Sequence, residues 1–264
     1  MIHQSKKKEE IGMTKTKKYD FIIPIGWGCL NAHNLRQNKL QRESLPFDWI
    51  WISSIRQVST LLKNKFQDFL LKENLQFIKS NGDANVYRDT HNGLEYWHDF
   101  MVGENFEASY LRNYQKYQRR IKRMFYHIQK ARKILWVRIE RIFPDQEKTD
   151  DKYMFIKRIL PEEQVVAEFK EIQNLYPDKR CDMLLLYTYD KPCDKKEYDI
   201  TPFIHVCEFY NDESLGWQGD MMGIAKTLSP YTLTITAKIR YGLNTLVYRT
   251  KKLLSPQKYN KKNQ

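Results

Sequence analysis

The stretch FIIPIGWGCLNAHNLR, residues 21–36, sets the expected fold. Residues 19–25 form an apolar run that is typical of a strand buried within a sheet. Gly26 and Gly28 follow, and they free the backbone to turn sharply and to approach a ligand closely. Residues 30–40 carry leucines at helical spacing. The stretch therefore predicts a strand that turns tightly into a helix.

Cys29 is predicted at the start of that helix. There the positive end of the helix dipole stabilises a thiolate, and the backbone N–H groups of residues 29–31 can hold a developing oxyanion. These are the requirements of a cysteine nucleophile. Turns with two glycines are also common without catalysis, and the cysteine is then a small buried apolar residue. The stretch alone leaves both interpretations open.

A cysteine nucleophile needs a base, and His98 is the predicted one. It lies in WHDF, residues 97–100, between aromatic residues that would keep it partly dry. Asp99 follows directly, but neighbouring strand residues point to opposite faces, so the orienting acid could be Asp48 instead. His33 lies one helical turn after the cysteine and could flank the site. The alternative for His98 is a buried histidine paired with the backbone.

PFDWIW, residues 46–51, places the Asp48 carboxylate among aromatic side chains. Such a carboxylate must be paired if it is buried. It could orient a histidine, bind a sugar hydroxyl, or accept hydrogen bonds from backbone N–H groups at a turn.

The remaining elements predict one α/β domain. The sequence indicates, in order, a hairpin, a long basic helix, a strand, a helix and a strand, at residues 85–100, 104–132, 134–139, 162–176 and 183–187. The last three form a βαβ unit, which favours a parallel pair of strands. We expect a three-layer Rossmann- or flavodoxin-like sheet, with helices on both faces and a basic C-terminal helix.

Three segments divide the chain. Residues 1–18 are rich in lysine and are predicted to be a disordered basic tail. Residues 19–236 are the candidate catalytic α/β domain. Residues 237–264 are a basic amphipathic helix and tail. In this last segment the apolar residues share one face and the basic residues lie elsewhere; the apolar positions are Ile239, Leu243, Leu246, Val247, Thr250 and Leu254. Such a helix can lie on an anionic membrane, or it can be a core helix with a solvated basic edge.

The net charge of +13 is concentrated in two segments. Residues 104–133 contain nine Lys or Arg against two Glu, and residues 237–264 contain eight Lys or Arg and no acid. Clustered positive charge suits an anionic partner. We expect an anionic small-molecule or glycan substrate and an anionic membrane surface. Nucleic acid is not expected, because no nucleic-acid-binding motif is found.

The four cysteines form no CxxC pair, so neither a zinc ribbon nor another metal or cofactor is expected. The sequence shows no apolar run of membrane-spanning length and no secretory signal. We therefore expect a cytoplasmic protein, peripheral at the inner face of the membrane through its C-terminal helix.

The combination of these motifs resembles a family named for its predicted papain-like cysteine peptidase activity. Members are common in bacterial surface-polysaccharide loci and also occur in viruses and protists. The resemblance rests on the glycine–cysteine turn, on Leu35 and Arg36, on PFDW at 46–49 and on HDF at 98–100. A looser likeness covers the βαβ unit and GWQGD at 216–220. The resemblance implies Cys29 as nucleophile and His98 as base, with Asp48 or Asp99 as a third member.

The βαβ unit fits a Rossmann-like sheet better than a papain fold and puts the site at the carboxyl end of the first strand. Trp27 would crowd a peptide cleft. The candidate substrate-binding residues are Gly26, Trp27, Gly28, Asn31, Arg36, Trp49 and Asp220.

Three functions are compatible with the sequence. The first is a cysteine-dependent hydrolase, or an acyl or group transferase, in surface-glycan metabolism. The second is a glycosyltransferase-like enzyme that binds an anionic nucleotide sugar without covalent catalysis, for which Cys29 is dispensable. The third is a non-enzymatic protein that binds a membrane surface or an anionic ligand.

Overall fold

The computed structural model describes residues 16–26, 28–142, 159–211 and 218–254. Within these ranges eleven strands form three sheets: β1 (Lys17–Tyr19), β2 (Phe21–Pro24), β3 (Ile50–Trp51), β4 (Leu75–Asn81), β5 (Ala84–Asp89), β6 (Leu94–Met101), β7 (Lys133–Ile142), β8 (Arg180–Tyr189), β9 (Lys196–Thr201), β10 (Ile204–Tyr210) and β11 (Tyr231–Leu233). The α-helices of the same ranges are α1 (Cys29–Gln37), α2 (Ile55–Lys63), α3 (Phe106–Lys130), α4 (Glu162–Leu175), α5 (Met221–Leu228) and α6 (Ile235–Leu254).

The main sheet has five strands in the order β2-β7-β8-β10-β9. β2, β7, β8 and β10 are parallel, and β9 pairs antiparallel with β10 at the edge. The run from β7 through α4 to β8 is the βαβ unit that the sequence predicts. In a parallel sheet the carboxyl ends of the strands meet at one edge, where ligands commonly bind.

Both faces of the main sheet are covered. Nearly every residue of β2, β7 and β8 is buried, which requires cover on each side. The Arg138 side chain reaches backbone carbonyls just ahead of α2, and α2 packs against α4. Cys207 lies in register with Ile139, the neighbour of Arg138, and its Sγ is 3.7 Å from Thr227 Oγ1 in α5. α2 and α5 therefore lie on opposite faces of the sheet.

The mixed α/β single domain expected from the sequence is confirmed. The four parallel strands, β2, β7, β8 and β10, follow one another in chain order across the sheet, whereas the strand order of a doubly wound sheet reverses direction. The finer Rossmann- or flavodoxin-like assignment stays a prediction.

A second sheet of four antiparallel strands, β3-β6-β5-β4, lies between β2 and β7 in the chain. The sequence predicts only the β5–β6 hairpin, which turns through Gly93 at a φ of 68°. β4 escaped prediction because its residues are mostly exposed and lack an alternating apolar pattern. Residues 97–99 of β6 lie opposite the single residue Val86, since Tyr96 and Phe100 pair with Tyr87 and Asn85. Such a bulge turns side chains away from their regular directions.

The two ends of the described chain differ slightly from the predicted segments. Lys17 and Lys18, assigned to the tail, belong to β1, which pairs with β11. α6 begins at Ile235, two residues before the predicted segment. Residues 1–15 and 255–264 lie outside the described residues. Within the described ranges, none of the helices combines the length and the apolar character that a bilayer crossing requires.

Candidate active site

Cys29 is the first residue of α1, as predicted. It follows the end of β2, at the carboxyl ends of the parallel strands. The last sheet contact before the turn is the hydrogen bond from Ile25 N to Val137 O, 2.8 Å long. Gly28 is the N-cap residue with a φ of 64°, a left-handed conformation that favours glycine. The sequence thus predicted this turn correctly.

Asn31 fixes the first turn of α1 to the end of β7. Its Nδ2 donates to Ile139 O at 3.1 Å, and its Oδ1 accepts from Ile139 N at 2.6 Å. A Cβ on Gly26 would lie 2.0 Å from the Asn31 amide, so only glycine allows this approach. Both residues were predicted to bind substrate. The structure gives them a role in holding α1 against the sheet.

Two stacked tryptophans connect the cysteine turn to the second sheet. A Cβ on Gly28 would lie 2.9 Å from Trp51 Nε1, so Trp51 packs directly on the N-cap. The Trp51 ring stacks on Trp97 with 4.1 Å between ring centroids, and the Trp97 indole donates to Glu95. Trp97 directly precedes His98. The GWGC and WHDF motifs, far apart in sequence, are therefore joined through aromatic packing.

His98 lies in the bulge of β6 and is exposed. Its ring meets Trp49 edge-on, with centroids 6.4 Å apart. It forms no hydrogen bond or ion pair with another described residue. The imidazole is accordingly accessible, as a base that meets substrate must be.

Asp99 belongs to a buried cluster with α3. Its carboxylate accepts hydrogen bonds from the Tyr117 hydroxyl at 2.7 Å and from the Lys116 ammonium. Burial lowers the pKa of Lys116, and the adjacent Asp99 carboxylate raises it. This pairing fixes β6 on α3. His98 thus points outward and Asp99 inward, as neighbouring strand residues do.

Asp48 is fully buried and accepts three kinds of donor: the Arg36 guanidinium, the Gln41 amide at 2.7 Å and the Leu45 N–H at 3.0 Å. Burial raises the pKa of the Asp48 carboxyl, and these donors act in the opposite direction. The predicted pairing of a buried carboxylate is confirmed. One of its partners is a backbone N–H group, which is one of the three uses that the sequence left open. The role of Asp48 or Asp99 as the third catalytic residue stays a prediction.

Arg36 and Trp49 link Asp48 indirectly to the histidine. The Arg36 guanidinium lies 5.4 Å from the centroid of the Trp49 ring, which also packs edge-on with His98. Arg36 is partly exposed, so its free edge still faces solvent. Asp48, Arg36, Trp49 and His98 therefore form one continuous series of contacts.

Arg141 is a site residue that sequence reasoning missed. It follows Ile139 by two positions on β7, so the two side chains lie on the same face of the sheet. Burial raises the pKa of the Cys29 thiol, while its own backbone N–H and the Arg141 guanidinium lower that pKa. One feature of the sequence could have indicated Arg141: it is a basic residue at the end of an otherwise buried strand.

His33 occupies the position one turn after Cys29 on α1, where side chains of a helix are neighbours. Burial, and then the charge of Arg36, lower the pKa of its imidazole. His33 is therefore neutral near physiological pH, as a general base must be.

The GWQGD patch also meets α1. Asn34 Nδ2 approaches Gln218 O at 3.4 Å. Asp220 caps α5 by accepting from Met222 N and Gly223 N at 3.1 and 2.9 Å, which is a structural use of a predicted substrate-binding carboxylate. Gly216, Trp217 and the predicted ligand-binding Trp27 lie outside the described residues.

In the part of the chain that is described, no three His, Cys, Asp or Glu side chains converge as metal ligands.

Removing the Arg141 charge tests its effect on the thiol. In Arg141→Leu the Cys29 pKa should rise further, because a cation that stabilises the thiolate is lost. We expect alkylation by iodoacetamide to slow about three- to tenfold at neutral pH. The rate should be followed by mass spectrometry of the Cys29 peptide across a pH series. Arg119→Leu, at an exposed position on α3, is the control; equal slowing in both variants would contradict the assignment.

The structure has a thiol at a helix N-terminus and an accessible imidazole beside an aromatic side chain. These are the kinds of catalytic group that a cysteine hydrolase uses. The family model described as "Putative papain-like cysteine peptidase (DUF1796)" matches residues 20–157, more than half of the chain. The chain belongs to this family, which confirms the resemblance found from the sequence.

An uncharacterised protein of Acanthamoeba polyphaga mimivirus, R408, is 28% identical over 137 residues, covering 45% of this chain and 61% of the viral protein. The chain thus spans about three fifths of the length of this relative. No solved structure matches the chain.

Proposed function

We propose that the protein is a cysteine-dependent hydrolase in which Cys29 attacks an acyl carbonyl. The observation that carries the proposal is the position of Cys29, at the N-terminus of α1 and at the carboxyl edge of the parallel strands. Family membership supports the same activity at the level of the family.

The reaction begins with the neutral thiol, because burial raises the Cys29 pKa. An imidazole takes the thiol proton as sulfur bonds to the carbonyl carbon. The tetrahedral intermediate then expels the leaving group, which receives that proton, and a thioester remains. Water, deprotonated by the same imidazole, attacks the thioester and releases the acid and the free thiol.

The first turn of α1 supplies the oxyanion donors. The first N–H groups of a helix have no partner within the helix, and Gly28 has no side chain that could cap them. The N–H groups of residues 29–31 therefore face the position of the developing oxyanion, with the positive end of the helix dipole behind them. Arg141 adds positive charge on the β7 side, which also favours an anionic substrate.

His98 is the proposed base, on the family resemblance and on its accessible position beside Trp49. His33 is the competing base, on its place one turn from the nucleophile and its lowered pKa. The two histidines belong to different elements, so their contributions can be measured separately.

The comparison of His98→Asn with His33→Asn tests the assignment of the base. Loss of general-base catalysis typically costs 10²–10⁴-fold in rate. We expect about this loss of p-nitrophenyl ester hydrolysis in His98→Asn and less than about a tenfold loss in His33→Asn. The acid limb of the pH–rate profile should disappear only in His98→Asn. The reverse pattern would assign the base to His33.

The surface-glycan setting of this reaction rests on the family resemblance, and an acyl group on a sugar is the corresponding substrate class. The glycosyltransferase alternative predicts a different result for the same chain, because its chemistry does not use Cys29. Hydrolysis or acyl transfer that depends on Cys29 is therefore the criterion that separates the two functions.

A further inference from the structure

α6 carries an exposed apolar stripe that the proposed reaction does not use. Four aliphatic residues follow one another at intervals of four: Ile235, Ile239, Leu243 and Val247 are 75%, 58%, 57% and 52% exposed. Residues four apart lie on the same side of a helix. The exposed side chains thus form one continuous apolar surface.

The stripe faces away from the body of the protein. α6 attaches through Ala237 and Tyr241, which are buried; the Tyr241 ring lies 4.7 Å from His127 of α3. At 3.6 residues per turn, Ile239 and Leu243 lie about 160–200° around the helix from Tyr241. The sequence left open whether α6 is a core helix with a solvated edge. The structure shows that its main apolar face is not the face that enters the core.

Positive charge borders this surface. On the helical wheel Lys238 and Arg240 lie on the two sides of the stripe; Lys238 is exposed and Arg240 is half-buried. Further along, the sequence of α6 adds Arg249, Lys251 and Lys252, and residues 237–264 contain no acid. Asp20 lies near Arg240 and offsets part of its charge. An aliphatic stripe with a net positive border is complementary to a surface that is apolar inside and anionic at its rim.

We propose that α6 binds the surface of an anionic lipid bilayer, lying in the plane of the interface with the stripe among the acyl chains. A helix of this kind enters about 5–10 Å into the boundary between headgroups and acyl chains, while its Lys and Arg contact anionic headgroups. A second copy of this chain fits less well, because two such helices would bring their cationic borders together.

Vesicle co-sedimentation with the full chain tests the proposal. The protein should sediment with vesicles of phosphatidylcholine and phosphatidylserine, and much less with phosphatidylcholine alone. Added salt should weaken binding, because it screens the headgroup charge. Deleting α6 is unsuitable, since Ala237 and Tyr241 belong to the core.

The decisive variant is the double substitution Ile239→Ser and Leu243→Ser, which leaves every charge in place. Loss of two large aliphatic side chains should lower the vesicle partition coefficient about tenfold or more. Leu111→Ser is the matched control, because Leu111 on α3 is 56% exposed and aliphatic; it should bind like the wild type. Circular dichroism of each variant checks the fold.

Equal sedimentation of the double variant and the wild type would overturn the proposal, as would a wild type that stays in the supernatant with both vesicles. Sedimentation velocity tests whether the stripe is a dimer interface instead. If the wild type is a dimer that does not bind vesicles, and the double substitution dissociates it, the membrane proposal is also overturned. Cys29→Ala should bind vesicles normally, so this result is independent of the proposed reaction.

Discussion

Cys29→Ala is expected to lower the rate of acyl-ester hydrolysis by at least about 10³-fold, which is the scale of loss when a nucleophile is removed. The reason is that no thioester can form without the sulfur. Stability should change little, because Cys29 is partly exposed and forms no hydrogen bond to another side chain among the described residues. The measurement is steady-state hydrolysis of p-nitrophenyl esters, together with mass-spectrometric detection of the acylated enzyme.

Cys193→Ala is the matched control, since Cys193 is an exposed cysteine in the segment between β8 and β9. It should hydrolyse the esters like the wild type. If Cys29→Ala retains the wild-type rate on a substrate that the protein turns over, the cysteine hydrolase is rejected. The glycosyltransferase alternative, which does not need the thiol, then takes its place.

Arg138→Leu is expected to have the largest effect on stability. Arg138 is buried, pairs with the buried Glu140, and donates to the carbonyls of Ile25, Ile52 and Ser53 at 3.0, 3.1 and 3.1 Å. Removing one member of a buried ion pair leaves an uncompensated charge, at a cost of about 3–5 kcal/mol. The free energy of unfolding in urea should fall by this amount.

The double variant Arg138→Leu with Glu140→Leu is the control, because it removes both charges. It should lose less stability than Arg138→Leu alone. A double variant that loses the sum of the two single effects would show that the pair is not coupled. Arg138 joins the end of β2, from which the Cys29 turn begins, to the segment before α2. Both variants should therefore also slow alkylation of Cys29.

Local patterns in the sequence predicted the nucleophile side of the site well. An apolar run, two glycines and spaced leucines predict the β2–α1 turn, because each depends only on neighbouring residues. The βαβ unit from β7 to β8 follows from strand and helix spacing in the same way. Cys29 therefore lies where the sequence places it.

Features that depend on distant residues were not predictable. Strand alternation already predicts that His98 and Asp99 point in opposite directions, but the strand's own sequence does not show the bulge opposite Val86 in which both residues lie. The pairing of Asp48 with Arg36 brings together residues twelve positions apart through a turn. The electrostatic effect of Arg141 on Cys29 depends on the position of α1 beside β7, where Asn31 holds it.

The place of the second sheet within the chain has a consequence for the order of folding. β2 pairs with β7, and about 110 residues, including the whole second sheet and α3, separate the two strands. Closing so long a loop is costly in chain entropy, so this pairing forms late. During synthesis Cys29 leaves the ribosome early, but Arg141 and the β7 backbone that holds Asn31 follow much later. The geometry proposed for Cys29 therefore cannot exist in a nascent chain that ends before β7.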